Sequence, residues 1–221
     1  MFDPIRSLSV SVLVLALTAS GAAYARGDST FDVTITNVTQ NQTFTPILVA
    51  SHSDKVSLFV AGDPAIEELE ILAESGNPGP LTALLESDGE VGEVTDSGAP
   101  LGPGESITIS VATSGKFNNV SVAAMLVPTN DAFVAVNGVR GPKRKDALVI
   151  DALAYDAGSE LNDESCASIP AGGGCVGEGL SLADGEGFVH VHPGIHGIGD
   201  LSKAVYDWRN PVARVRIVRS K

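Results

Sequence analysis

Apolar and polar residues alternate with period two along much of this chain. In 31–38, Phe31, Val33 and Ile35 fall on one face and Asp32, Thr34 and Thr36 on the other, as in a strand buried on one side. Segment 106–111 repeats the pattern, with Ile107, Ile109 and Val111 between Ser106, Thr108 and Ser110. Segments 47–51, 56–60 and 133–136 are short apolar runs, and 119–127 reads as a longer buried strand. Segments 147–154, 187–192 and 212–218 complete the set. About eight or nine strands parted by Gly/Pro turns predict an all-β fold, an antiparallel β-sandwich.

A helical period appears in one place only. Asp63 is the expected N-cap, Pro64 takes the first helical position, and Ile66, Leu69 and Leu72 or Ala73 follow at helical spacing through Glu74. After the break at Gly76-Asn77-Pro78-Gly79, 80–86 predicts a second short helix. Segment 88–104, rich in Gly, Asp, Glu and Pro, predicts an exposed loop. No repeat or linker divides the chain, so one domain is expected.

The first 25 residues read as an export signal. Arg6 supplies a basic start, 8–18 an apolar stretch, and Ala23-Tyr24-Ala25 a cleavage site, which would leave 26–221 as the mature domain. That stretch is short and rich in Ser, Thr and Gly for a membrane span, and no later segment reaches transmembrane length. The expected location is secreted or periplasmic. Cys166 and Cys175 should then pair across a short Gly-rich loop. Closing so small a loop contributes roughly 2–3 kcal/mol in the chain-entropy account. A two-cysteine metal site would need further soft ligands nearby.

Charge narrows the partners. Twenty-seven acids against 14 bases give a net charge of -13, which argues against nucleic acid and against electrostatic adhesion to anionic membranes. An acidic surface serves solubility, and it also suits divalent cations. The run Tyr155-Asp156-Ala157-Gly158-Ser159-Glu160 closes an apolar segment and opens a loop of oxygen donors, with Asn162, Asp163 and Glu164 next. Two carboxylates folded back around a glycine repel unless a cation lies between them, and an all-oxygen set favours Ca²⁺. Taken alone, each is also an ordinary turn-forming acid that satisfies loop amides.

Histidines offer a rival chemistry. His190 and His192 share a face on a strand, and His196 follows a Pro-Gly turn, so the three could hold Zn²⁺ or Cu²⁺. A metal-dependent hydrolase would then recruit Asp200 or Glu186 as base. The plain alternative is a strand with two hydrogen-bonded histidines. No nucleophile elbow, P-loop or dinucleotide fingerprint is present. Trp208 fits either a sugar platform or the end of a sandwich core. The sequons at Asn37, Asn41 and Asn119 matter only in a glycosylating host.

Several motifs, taken in order, carry a resemblance. They are Phe31-Asp32-Val33-Thr34-Ile35-Thr36-Asn37-Val38-Thr39 with Phe44-Thr45-Pro46, then Gly62-Asp63-Pro64-Ala65 and 69–76. Met125-Leu126-Val127-Pro128-Thr129-Asn130-Asp131-Ala132-Phe133-Val134, the Tyr155–Glu160 run and Pro211-Val212-Ala213-Arg214-Val215-Arg216-Ile217 follow. The chain resembles the spondin domain, the N-terminal module of F-spondin-type matrix proteins, and most closely its bacterial single-domain secreted form. That resemblance implies a C2-like antiparallel β-sandwich with Ca²⁺ at one loop end, held by Asp131, Asp156 and Glu160 and by a backbone carbonyl near Tyr155. Glu160 stands where the family commonly has aspartate. Independently, Asp131 and Asp156 each follow a predicted strand, so a sandwich can bring them to one end. The expected function is a secreted calcium-binding adhesion or interaction module whose partner is an extracellular protein or glycan. The alternative is a periplasmic metal-binding protein or hydrolase built on His190, His192 and His196.

Overall fold

The computed structural model describes residues 29–180 and 185–220. The expected export signal, 1–25, lies outside the described residues. The strands are β1 (Ser29–Asn37), β2 (Thr43–Phe44), β3 (Leu48–His52), β4 (Val91–Asp96), β5 (Ser106–Thr113), β6 (Asn119–Val127), β7 (Ala132–Arg140), β8 (Leu148–Asp156), β9 (His190–Val191) and β10 (Ala213–Ser220). Three helices join them: α1 (Glu67–Ser75), α2 (Gly79–Glu86) and α3 (Lys203–Tyr206).

All pairings are antiparallel, in the order β4-β3-β6-β7-β8-β10-β1-β5, with β2 added beside β6 and β9 beside β8. This path doubles over into a sandwich. Val33, Ile35 and Val215 from one half meet Val122, Leu126 and Val134 from the other in one buried cluster. The Ala112 N–H donates to the Glu93 carboxylate, tying the two ends of the path together.

Alternation explains β1, which buries every second residue. β6 breaks the alternation because both of its faces are covered. Its Val122 and Ala124 face the sandwich core, while Ala123 faces a second cluster with Leu69, Leu72 and Leu81 of the helices. Fully burying such side chains contributes roughly 1.5–3 kcal/mol each. Phe59, Phe133 and Tyr155 form an aromatic group beside this cluster, with ring centroids 4.8–5.7 Å apart.

Several expectations shift. Segment 56–60 is irregular, because the Asn137 side chain bonds Leu58 N and Phe59 O in place of a strand partner. Asp63 is not the cap of α1: Gly62 and Asp63 are held to Val189 by backbone bonds, so the helix begins a turn later with Ile66 as N-cap. Three acids, Glu67, Glu68 and Glu70, occupy its first turn and suit its dipole. Segment 88–104 contains β4, an edge strand paired to β3, whose exposed polar positions disguise it. Of 187–192, only His190–Val191 forms ladder. No helix among the described residues is long and apolar enough to cross a membrane.

Candidate metal centre

The end of β8 carries the chemistry. Ala132 pairs with Asp156, and Ala157 N–H donates to Asp131 O at 3.2 Å, so the turn before β7 and the loop after β8 lie side by side. Asp131, Asp156 and Glu160 are all buried, at 0%, 0% and 2% exposure. Asp131 Oδ2 accepts from Ser159 N at 2.8 Å, Ser159 Oγ at 3.2 Å and Glu160 N at 3.1 Å. Its other oxygen, Oδ1, is buried with no hydrogen-bond partner. An unsatisfied buried carboxylate oxygen is costly, which makes this atom the most telling in the site.

Asp156 is better supplied. Its Oδ1 accepts from Gly158 N at 2.8 Å and its Oδ2 from Asn162 Nδ2 at 2.6 Å. Gly158 has φ 71°, and an added Cβ would lie 2.4 Å from Phe188 O, so this turn needs glycine for both hand and space. Burial, reinforced by the Asp156 charge, pushes the Asp131 carboxyl up to about 8. Asp156 is raised too, chiefly by burial, against the opposing pull of Asn162 and His190. A metal ion would take the place of the proton that such a pair otherwise retains. Tyr155 lies between Phe133 and Val191 in the ladder, one residue before Asp156.

The three histidines line one cavity of about 220 Å³, together with Asn162, Glu164 and Glu186, but they are not equivalent. His192 is buried, with its ring 4.9 Å from that of Trp208. Gly194 N–H donates to its Nδ1 at 3.0 Å, so Nε2 carries the proton and donates to Asn162 Oδ1 at 3.1 Å. Burial, with His190 and His196 nearby, pushes its pKa down to about 3. Both nitrogens are thus engaged, and His192 serves to orient Asn162 toward Asp156. His190 instead turns its Nε2 to carboxylates, 3.6 Å from Asp156 Oδ1 and 3.9 Å from Glu186 Oε2. The compact group is therefore Asp156, Glu186 and His190, with one ligand atom from each within 4.8 Å of the others. His196 is exposed, at the rim.

Two further acids hold the neighbouring loops. Glu164, buried and at φ 56°, accepts from the amides of His196, Gly197 and Ile198 at 2.5, 2.8 and 3.0 Å. Asp200, a candidate base in the hydrolase reading, accepts instead from Cys166 N at 2.9 Å. The Cys166–Cys175 disulfide is formed, with Cα atoms 4.7 Å apart, and it fastens the segment behind the acidic loop.

The spondin N-terminal domain model (Spondin_N) matches residues 30–165. The chain belongs to the spondin N-terminal domain family. The matched stretch runs from β1 through the Asp156 loop, so it contains Asp131, Asp156, Glu160 and Asn162. Glu186, His190 and His192 fall beyond it, as does β10, although β10 is the strand that joins β8 to β1. A comparison with curated proteins gives no match.

Proposed function

We propose that this chain is a calcium-binding, spondin-type interaction domain that works outside the cytoplasm rather than as an enzyme. The buried, unpartnered Asp131 Oδ1, set beside Asp156 in a spondin-family fold, carries the reading. Asp131, Asp156 and Glu160 would hold the ion, and oxygen donors of this kind suit Ca²⁺. The bound ion would neutralise the buried charge and order the two loops beside it. Export rests on the signal-like residues 1–25 and on the disulfide, which persists in an oxidising compartment. The ordered loop end would then present its surface to an extracellular protein or glycan.

The test is calcium titration of chelator-treated protein, followed by calorimetry and thermal unfolding. At a free Ca²⁺ concentration 100 times Kd, native-state binding should add about 2.7 kcal/mol of stability. Asp131→Asn should lose that gain while keeping an oxygen for the Ser159 and Glu160 amides. A variant that binds Ca²⁺ as tightly as the parent would refute the assignment.

A further inference from the structure

We propose a second metal position in this domain, built from Asp156, Glu186 and His190 and suited to a borderline divalent ion of the Zn²⁺ class. It shares Asp156 with the calcium position but otherwise stands on different residues, two of them beyond the stretch matched to the family. The first argument is donor chemistry. One imidazole nitrogen and two carboxylate oxygens converge here, and imidazole is a ligand for Zn²⁺ and its neighbours rather than for Ca²⁺. The second is spacing. Ligands held about 2.1 Å from a tetrahedral ion lie about 3.4 Å apart. The 3.6 and 3.9 Å separations from His190 Nε2 reach that value by small side-chain rotations.

The third argument is the surrounding support. His190 Nδ1 lies 3.2 Å from Val191 O; a carbonyl only accepts, so Nδ1 carries the proton and Nε2 is turned to the carboxylates. Asn162 Nδ2 reaches Asp156 Oδ2 at 2.6 Å and Glu186 Oε1 at 3.5 Å, steadying both acids from one amide. Asn162 is in turn fixed by His192 Nε2–H, and His192 by Gly194 N–H. Asn162 and His192 are thus positioning residues, and their chain of bonds ends on the proposed ligands. With three protein ligands, the ion keeps an open side toward the 220 Å³ cavity, where water or an anionic group of a partner can bind.

The experiment is equilibrium dialysis of the chelator-treated protein against Zn²⁺ in saturating Ca²⁺, with metal content read by elemental analysis. One zinc per chain is expected in the parent. His190→Ala and Glu186→Gln should each weaken zinc binding tenfold or more while the calcium-dependent rise in Tm persists, which shows that they fold. Asn162→Ala should weaken it about 10- to 100-fold, as removal of an outer-shell partner does. Asp131→Asn should lose calcium and keep zinc. Co²⁺ in place of Zn²⁺ should give a visible absorption band that His190→Ala abolishes. The proposal is overturned if the parent takes up no zinc, if His190→Ala retains it, or if Asp131→Asn loses both ions together. Loss of calcium alone from the parent would sink the calcium reading and leave this one standing.

Discussion

Strand β8 joins two charged ends of opposite character. At its start, the hairpin from β7 holds Lys143, Arg144 and Lys145 in solvent, and Arg214 pairs with Asp151 at 3.1 Å while both remain exposed. At its finish, Asp156 is fully buried beside Asp131. The hairpin is the denser run of like charge, yet each cation keeps its hydration and little energy is stored there. Beside Asp156, two buried carboxyl groups accept hydrogen bonds from three backbone amides, those of Gly158, Ser159 and Glu160, and one oxygen still has no partner. Charge in a sequence is therefore a weak signal until burial is known, and buried charge of one sign calls for a counter-ion.

The largest effect comes from the packing beneath the buried end. Phe133 stands two residues after Asp131, fully buried, with its ring 5.7 Å from that of Tyr155, the neighbour of Asp156. Phe133→Ala should cost about 3–5 kcal/mol in urea unfolding, as aromatic truncations in cores do. The loss should appear with calcium and with chelator alike, since the cavity precedes any ion. A cost below 1 kcal/mol would mean that the aromatic group does not support the site.

Much of the frame was legible because its cause is local. β1 and β5 alternate since one face is wet, and β6 reads as continuous since helices cover its outer side. β4 escaped because an edge strand shows its polar side chains, and 56–60 misled because apolar residues there pack as loop under Asn137. Asp131 and Asp156 could be placed at one end from strand ends alone, whereas Glu160 joined them through the family resemblance. What stayed hidden depends on partners distant in sequence. His190 and His192 differ by two residues and look alike, but Gly194 N–H and Trp208 enclose one while Glu186 faces the other. Glu164 was legible as an acid, but not as the anchor of three amides more than thirty residues away.

A smaller effect separates the two ends by pH. The folded Asp131 carboxyl, pushed up to about 8, lies above the ordinary unfolded value of about 4. The folded state thus binds the extra proton between those values, and the stability linked to it is full below about pH 4 and lost as pH rises through about 8. His192 acts in the opposite sense: its folded pKa of about 3 lies below the unfolded 6.5, so its contribution is lost as pH falls from 6.5 toward 3. Asp131→Asn leaves His192 in place, so the difference between parent and variant isolates Asp131. In chelator, the variant should match the parent near pH 4 and become progressively the more stable toward pH 8. With calcium the order should reverse at neutral pH. A flat difference across that range would place the ionised Asp131 in contact with solvent or with a cation of the chain itself.

The smallest effect belongs to the hairpin. Lys143→Ala, Arg144→Ala and Lys145→Ala remove exposed charges, and single changes of this kind usually stay within about 0.5 kcal/mol. Even combined, they should leave calcium affinity unchanged. The nine residues of β8 run from one end to the other, a span of about 26 Å at roughly 3.3 Å per step. The Debye length at physiological ionic strength is about 8 Å, so salt screens one end from the other. Calcium titrations at 0.15 M salt should therefore overlay for the parent and the triple variant. At about 0.01 M salt, where the screening length grows to about 30 Å, the variant should bind slightly more tightly, because three charges that repel the ion are gone. A large change at physiological salt would mean that the ends communicate through the packed sheet rather than through the field.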